Sequence, residues 1–63
     1  MPTKTFLNLP QEKQNLLLKI AKEEFSSNLF NDVSINKIIK KANIARGSFY
    51  AYFKDKEDLY HYL

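Results

Sequence analysis

Two short apolar patterns separated by a tight turn constrain the fold of this chain more than any other feature of its sequence. The first pattern repeats every three or four residues, as one face of a helix requires, at Ile35, Ile38, Ile39 and Ala42. Ser34 directly before it is a good N-cap, and Asn43 directly after it tolerates the left-handed conformation that ends many helices. We therefore predict a helix over residues 35–42.

The second pattern begins after only three residues, 43–45, and predicts a helix over residues 46–52. Phe49 and Phe53 stand at i and i+4, so both are expected to face the core. Polar and aromatic side chains are left for the other faces of this helix: Arg46, Ser48, Tyr50 and Tyr52. Two short helices are thus joined by a tight turn.

A longer helix is predicted before this pair, over about 10–27. Its apolar residues fall at helical spacing at Leu16, Leu17, Ile20, Ala21 and Phe25. Pro10 suits the first turn, and Leu9 is the expected N-cap because a residue before proline resists helical angles. Asn28 is a candidate for the left-handed residue that closes this helix. Residues 1–8 have no clear periodicity and are predicted to form a flexible N-terminal arm.

A fourth helix is predicted to start after Asp55, whose side chain can cap it. Glu57 and Asp58 follow in its first turn, where the helix macrodipole favours acidic side chains. Its apolar side is formed by Leu59, Tyr60 and Leu63. Because that side is unfinished at the last residue, we expect residues 57–63 to be the start of a helix that continues in a longer natural chain.

Two short helices joined by a three-residue turn, with a longer helix packed behind them, form the helix-turn-helix arrangement. Its second short helix commonly lies in the DNA major groove. Helical hairpins of this size also occur in proteins that bind no DNA. The spacing alone therefore leaves two functions open, a DNA-binding domain and a helical protein-interaction module. The predicted fold class is all-α, a three-helix helix-turn-helix bundle plus the start of a fourth helix.

Positive charge is concentrated on the same stretch. The whole sequence has a formal net charge of +3, and residues 32–56 alone carry six cations and two acids, a net charge of +4. This distribution is typical of a surface that binds a polyanion. Lys37, Arg46 and Lys56 each fall in the first turn of a predicted helix, where a cation is unfavourable unless a phosphate binds beside it. Without such a ligand, all three would point into water at little cost.

Residues needed for other chemistries are absent from the sequence. There is no cysteine, the single histidine, His61, has no partner at ligand spacing, and no glycine-rich phosphate loop is present. We therefore predict no enzyme activity, no cofactor and no metal. No apolar run approaches the ~20 residues of a membrane span, and no signal-peptide core is present. We accordingly predict no membrane association and a cytoplasmic location.

The stretch from Ile38 to Glu57 reads Ile-Ile-Lys-Lys-Ala-Asn-Ile-Ala-Arg-Gly-Ser-Phe-Tyr-Ala-Tyr-Phe-Lys-Asp-Lys-Glu. It resembles the signature of the tetracycline repressor (TetR) family of bacterial regulators. The run over residues 47–57 is the most specific part, and the resemblance extends from Phe25 to Leu59. It implies a homeodomain-like helix-turn-helix fold, with core positions at Phe25, Ile38, Phe49 and Phe53.

The resemblance also implies which side chains bind DNA, to which the charge argument adds Lys37. Candidates for facing base edges or nearby phosphates match the start of the family's recognition helix: Arg46, Gly47 and Ser48. Candidates for contacts with the DNA backbone match other family positions: Tyr50, Tyr52 and Lys56. Ser34 and Asn36 match DNA contacts made from the start of the family's second helix. Arg46 is the only arginine in the chain, and its planar fork can hold guanine O6 and N7 together, so we predict that it reads a base. The alternatives are a contact with phosphate and an arginine that is free on the surface.

A domain organisation and a function follow from the resemblance as expectations. Residues 9–56 would be the DNA-binding domain, and 57–63 would lead to a C-terminal domain for ligand binding and dimerisation. Such regulators are usually homodimers that bind a palindromic operator in double-stranded DNA, and a small-molecule inducer releases them. We therefore expect a sequence-specific DNA-binding domain of a bacterial transcriptional regulator, a repressor released by a ligand.

The sequence departs from the family pattern at several positions. Glycine is usual where Leu29 and Asn43 stand; asparagine suits a left-handed turn and leucine does not, so Asn28 is expected to take that role at the first turn. Alanine is usual where Ile39 stands, which requires a rearranged contact between helices. Ala45 replaces a serine or threonine cap, a loss of about 1 kcal/mol.

Overall fold

α-Helices form most of the structure of residues 2–63, which are the residues that this computed structural model describes. One turn of 3₁₀ helix, Phe30–Asp32, lies between the second and third of them, and no strand occurs within the described residues. The helices are α1 (Lys4–Leu7), α2 (Gln11–Ser27), α3 (Ile35–Ala42), α4 (Arg46–Tyr52) and α5 (Lys56–Tyr62). The predicted all-α class is confirmed.

The helix-turn-helix pair, α3 and α4, begins and ends where the sequence predicts. Ser34 caps α3, with its Oγ accepting a hydrogen bond from the Lys37 amide at 3.3 Å. Asn43 ends α3 in the left-handed conformation (φ 56°, ψ 46°), and its amide donates to the Lys40 carbonyl at 3.2 Å. The next amide, that of Ile44, reaches back to the Ile39 carbonyl at 3.0 Å. Together these bonds close α3 as a Schellman motif, which fixes the direction in which the chain enters α4.

Side chains from all five α-helices meet in one hydrophobic core. The largest completely buried side chains are Phe6, Ile38, Phe49, Phe53 and Leu59. Burial of Ile38, Phe49 and Phe53 confirms three of the predicted core positions. Phe25, the fourth, is half-buried and packs against the edge of the core. Ile39, which occupies a position where alanine is usual, is buried within the same core.

The N-terminal segment is folded, whereas the sequence predicted a flexible arm over residues 1–8. Lys4–Leu7 is helical, and the ring of Phe6 is completely buried, with its centroid 4.9 Å from that of Phe53. Thr3 secures this segment to the end of α4, because its amide donates to the Tyr52 carbonyl at 2.9 Å and its hydroxyl donates to the Ala51 carbonyl. The folded domain therefore begins before residue 9; Met1 lies outside the described residues.

The two ends of α2 also differ from the prediction. Pro10, rather than Leu9, is the N-cap. Asn28 is not left-handed but extended (φ −139°, ψ 153°), because its side-chain amide turns back to donate to Glu24, to the carbonyl at 3.1 Å and to Oε2 at 3.0 Å. The bond to Oε2 gives a hydrogen-bond partner to the carboxylate of Glu24, which is only 5% exposed. The chain leaves α2 through extended Leu29, whose side chain is exposed, without requiring a glycine.

α5 is capped as predicted, with Asp55 Oδ1 accepting a hydrogen bond from the Asp58 amide at 2.8 Å. Its Leu59 is completely buried in the common core, so α5 packs as part of the same domain. Tyr60 and Tyr62 are each partly exposed and contact rings of this domain. The centroid of Tyr60 lies 5.0 Å from that of Phe25, and the centroid of Tyr62 lies 5.9 Å from that of Phe53.

Replacing Phe6 with alanine is expected to lower the free energy of unfolding by about 3–5 kcal/mol, because a large ring leaves a cavity in a dense core. A core of this size contributes only about 3–5 kcal/mol in total, so Phe6→Ala should be largely unfolded. Urea denaturation followed by far-UV circular dichroism measures the change. Leu7→Ala is the matched control, since Leu7 lies on the same helix but is 51% exposed. If both variants were equally stable, α1 would not be part of the core.

Candidate nucleic-acid interface

The side chains predicted to bind DNA lie at the starts of three helices and along α4. Those at the start of α3 are Ser34, Asn36 and Lys37; those of α4 are Arg46, Gly47, Ser48, Tyr50 and Tyr52; α5 contributes Lys56. Asn36, Lys37, Arg46, Gly47 and Tyr50 are exposed, whereas the remaining four are partly buried. The exposed members therefore belong to the helix-turn-helix pair.

Arg46, Asn36 and Tyr50 are brought into direct contact. Arg46 Nη1 donates a hydrogen bond to Asn36 Oδ1, which connects the first turn of α4 to the first turn of α3. Its Nη2 lies 3.5 Å from the Tyr50 hydroxyl, and its guanidinium carbon lies 5.6 Å from the centroid of the Tyr50 ring. Sequence reasoning assigned all three residues to DNA binding but missed that they bind one another.

The ring of Tyr50 packs against the core. It stands edge-on to that of buried Phe49, with centroids 5.3 Å apart and planes at 89°. This geometry is favourable for aromatic pairs. Because Phe49 is completely buried, it fixes the position from which the 43% exposed Tyr50 projects. The outward face of α4 is therefore built directly on the core.

Gly47 has no role in the packing of the domain. A Cβ atom built at this position would meet no other atom within 4 Å, and its φ angle is not positive. Glycine inside a helix costs roughly 0.5–1 kcal/mol relative to alanine. Since nothing within the domain requires glycine here, the bare backbone of Gly47 gives an outside molecule close access to α4.

Ser34 has a structural task, because its hydroxyl oxygen accepts the hydrogen bond that caps α3. The side chain of Lys37, three residues later, is exposed to solvent. Ala45, at the start of α4, makes no side-chain cap, as the sequence predicts. The starts of the two helices thus differ: α3 is capped by its own serine, and α4 is not capped by any side chain.

Tyr52 and Lys56 are more enclosed than the sequence suggests. Tyr52 is half-buried, with its ring centroid 5.9 Å from that of Phe6, and it lines a cleft of about 260 Å³ between α2 and the α3–α4 turn. Lys56 Nζ donates to the Val33 carbonyl at 3.3 Å and lies 4.8 Å from the centroid of the Phe30 ring. Lys56 therefore connects the start of α5 to the segment between α2 and α3.

Residues 2–63 contain neither a metal site nor a membrane-spanning helix. No group of three or more histidine, cysteine, aspartate or glutamate side chains is arranged to hold a metal ion. Within the same residues, no helix has the length and apolar character needed to cross a membrane.

Comparison with known proteins identifies the family that the sequence resembles and a solved structure with the same fold. The family model for bacterial regulatory proteins of the tetR family matches residues 17–63. A crystal structure of a TetR family transcriptional regulator from Chloroflexus aurantiacus J-10-FL superposes with a TM-score of 0.93 at 53% identity, covering 98% of this chain and 29% of that one. These matches do not favour the alternative of a protein-interaction module without DNA binding.

Curated relatives of this chain are named as transcriptional regulators. The chain is 43% identical over 49 residues to YdgC, an uncharacterized HTH-type transcriptional regulator of Bacillus subtilis. The matched region covers 78% of this chain and 25% of YdgC. It is 34% identical over 56 residues to DhaS, the HTH-type dhaKLM operon transcriptional activator of Lactococcus lactis. Here the matched region covers 86% of this chain and 30% of DhaS. The chain thus spans less than a third of the length of either relative.

Lys56→Ala is expected to lower the free energy of unfolding by about 1–2 kcal/mol, because it removes a charged hydrogen bond to Val33 and a cation–π contact with Phe30. Lys54→Ala is the control; its side chain is exposed and should matter by less than about 0.5 kcal/mol. Thermal and urea denaturation of the two variants provide the measurement. Equal stabilities would mean that Lys56 does not hold α5 to the α2–α3 segment.

Proposed function

Because this chain belongs to the tetR family of bacterial regulatory proteins and contains its helix-turn-helix DNA-binding domain, we propose that α4 enters the major groove of DNA. The first turn of α3 then meets the phosphate backbone beside it. The observation that carries this proposal is the division of α4 into two faces. Phe49 is completely buried, whereas Arg46, Gly47 and Tyr50 are exposed on the outside.

Different residues of this surface are proposed to have different tasks. Arg46 is the proposed reader of a base, because its guanidinium can bind guanine O6 and N7 with two N–H groups. Gly47 and Ser48 beside it allow the backbone of α4 to approach the bases. Contacts with phosphate are proposed for Ser34, Lys37, Tyr50, Tyr52 and Lys56. Asn36 lies beside them in the first turn of α3 and contacts Arg46.

The whole protein is proposed to act as a homodimer on a palindromic operator. In helix-turn-helix dimers, the two recognition helices lie about 34–36 Å apart, one turn of DNA, so the symmetry of the site mirrors that of the protein. We propose that dimer contacts and a small-molecule inducer site belong to a C-terminal domain beyond residues 57–63. The greater length of the relatives supports this division. A regulator of bacterial DNA would act in the cytoplasm.

Repression, relieved by the inducer, is the proposed effect on transcription. A regulator bound across a promoter excludes the polymerase. A ligand releases the regulator from DNA only if the ligand binds the DNA-free form of the regulator more tightly than the DNA-bound form. DhaS, by contrast, is named as a transcriptional activator. The direction of regulation therefore needs its own test, separate from that of DNA binding.

Arg46→Ala should reduce discrimination at one base pair of the site by about 1–3 kcal/mol, because it removes a contact with a base edge. Lys37→Ala should instead weaken binding to every sequence alike and reduce the slope of log K against log salt by about one. Fluorescence anisotropy measures both effects, using a duplex selected from a randomised library and its single-base-pair variants. Lys37 is preferred to Lys56 for this purpose because its side chain is exposed, so its removal should leave the fold intact.

Lys19→Ala, on the exposed side of α2, is the matched control and should change neither quantity. If Arg46→Ala and Lys37→Ala weakened all sequences equally, Arg46 would not be a base reader. An affinity for duplex DNA that did not fall with rising salt would contradict phosphate binding altogether.

Repression predicts that a reporter gene behind the selected operator is expressed less in cells that contain the protein. The Arg46→Ala variant, which should bind the operator more weakly, is expected to raise expression again. Reporter activity and protein level are measured in the same cultures. Expression that rises with the wild-type protein would show activation instead, with DNA binding still intact.

A further inference from the structure

The guanidinium of Arg46 is held in place before any DNA is bound. Asn36 Oδ1 accepts from its Nη1, the Tyr50 hydroxyl lies 3.5 Å from its Nη2, and the Tyr50 ring centroid lies 5.6 Å from its central carbon. A free arginine side chain on a protein surface samples many rotamers and loses that freedom when it binds. Contacts that restrict it beforehand reduce this loss.

The two groups that hold Arg46 rest on different parts of the fold. Asn36 lies in the first turn of α3, two residues after the capping Ser34. Tyr50 lies one turn further along α4 and is supported edge-on by buried Phe49. The guanidinium therefore bridges both helices of the helix-turn-helix pair, and its position depends on their relative arrangement.

The hydrogen bond from Arg46 limits which groups Asn36 can present to a base. A guanidinium has only donors, so the Asn36 atom that faces it must be the carboxamide oxygen. An asparagine reads adenine by using its oxygen and its amide group together. Arg46 occupies one of the two lone pairs of that oxygen and holds the carboxamide facing α4, so Asn36 is less free to turn both groups towards an adenine. Arg46, in contrast, has five N–H groups and keeps enough of them to bind guanine with two.

We propose that Asn36 is a positioning residue for Arg46: it aims the guanidinium at a guanine and sets base specificity without reading a base itself. This inference rests on the proposed function, in which Arg46 reads a base. It gives Asn36 a different task from the direct DNA contact that the family resemblance implies.

A double-mutant cycle with Asn36→Ala and Arg46→Ala tests the proposal. The probe is a duplex selected from a randomised library with the wild-type protein, together with its single-base-pair variants. Asn36→Ala should reduce discrimination at the Arg46-dependent base pair by roughly three- to tenfold, the equivalent of immobilising one flexible side chain. In the Arg46→Ala background, the same substitution should cause no further loss of discrimination.

Asn15→Ala is the matched control. Asn15 is also exposed on a helix, and its Oδ1 also accepts a side-chain hydrogen bond, from Gln11 at 2.9 Å. This substitution should leave discrimination unchanged. Far-UV circular dichroism of each variant verifies that the helices remain folded.

A second readout needs no DNA. Nitrogen-15 relaxation of the Arg46 Nε–H group in the free protein should show greater mobility in Asn36→Ala and unchanged mobility in Asn15→Ala. Tyr50→Phe, which keeps the ring but removes the hydroxyl, should have a smaller effect because the contact at 3.5 Å is long.

The possible failures are distinguishable. Additive losses in the cycle, or equal losses on every sequence, would show that Asn36 contacts DNA directly and would overturn the positioning role. Unchanged relaxation of Arg46 in Asn36→Ala would overturn it as well, while base reading by Arg46 could stand. If Arg46→Ala itself left discrimination intact, the base-reading part of the proposed function would fail, and positioning with it.

Discussion

Burial of aromatic rings beneath α4 is the interaction on which the rest of the structure depends. A helix of seven residues has no stability of its own in water, because it is too short to offset the cost of its first turn. α4 forms because Phe49 and Phe53 are completely buried, and because Phe6 packs against Phe53 from α1. The same burial decides which residues of α4 face outward, so the arrangement of Arg46 and Tyr50 is a consequence of the core.

Local signals in the sequence were sufficient to predict the helix-turn-helix pair. Ser34, Asn43 and Asp55 each act on amides or carbonyls within a few residues of themselves, so their effect does not depend on the rest of the fold. The bounds of α3 follow from Ser34 and Asn43, and those of α4 follow from the short turn before it and the spacing of Phe49 and Phe53.

Contacts between distant residues could not be predicted in this way. A single phenylalanine in residues 1–8 has no periodicity, and only the completed core provides a place for Phe6. Lys56 similarly meets Phe30 because the fold brings α5 beside the α2–α3 segment. Asn28 could either adopt the left-handed conformation or turn its side chain back to Glu24. It bonds to Glu24, because a nearly buried carboxylate without a partner would be costly.

Binding and stability are closely linked in a domain of this size. A small core leaves only a few kcal/mol of net stability, so any ligand of the folded state alone adds to it by mass action. Thr3 joins the N-terminal segment to the end of α4, and Arg46 joins the start of α4 to α3 through Asn36. The helix proposed to enter DNA is thus held at both ends by contacts that exist only when the domain is folded. DNA that engages α4 would therefore stabilise the N-terminal segment as well, although that segment lies at the opposite end of α4 from Arg46.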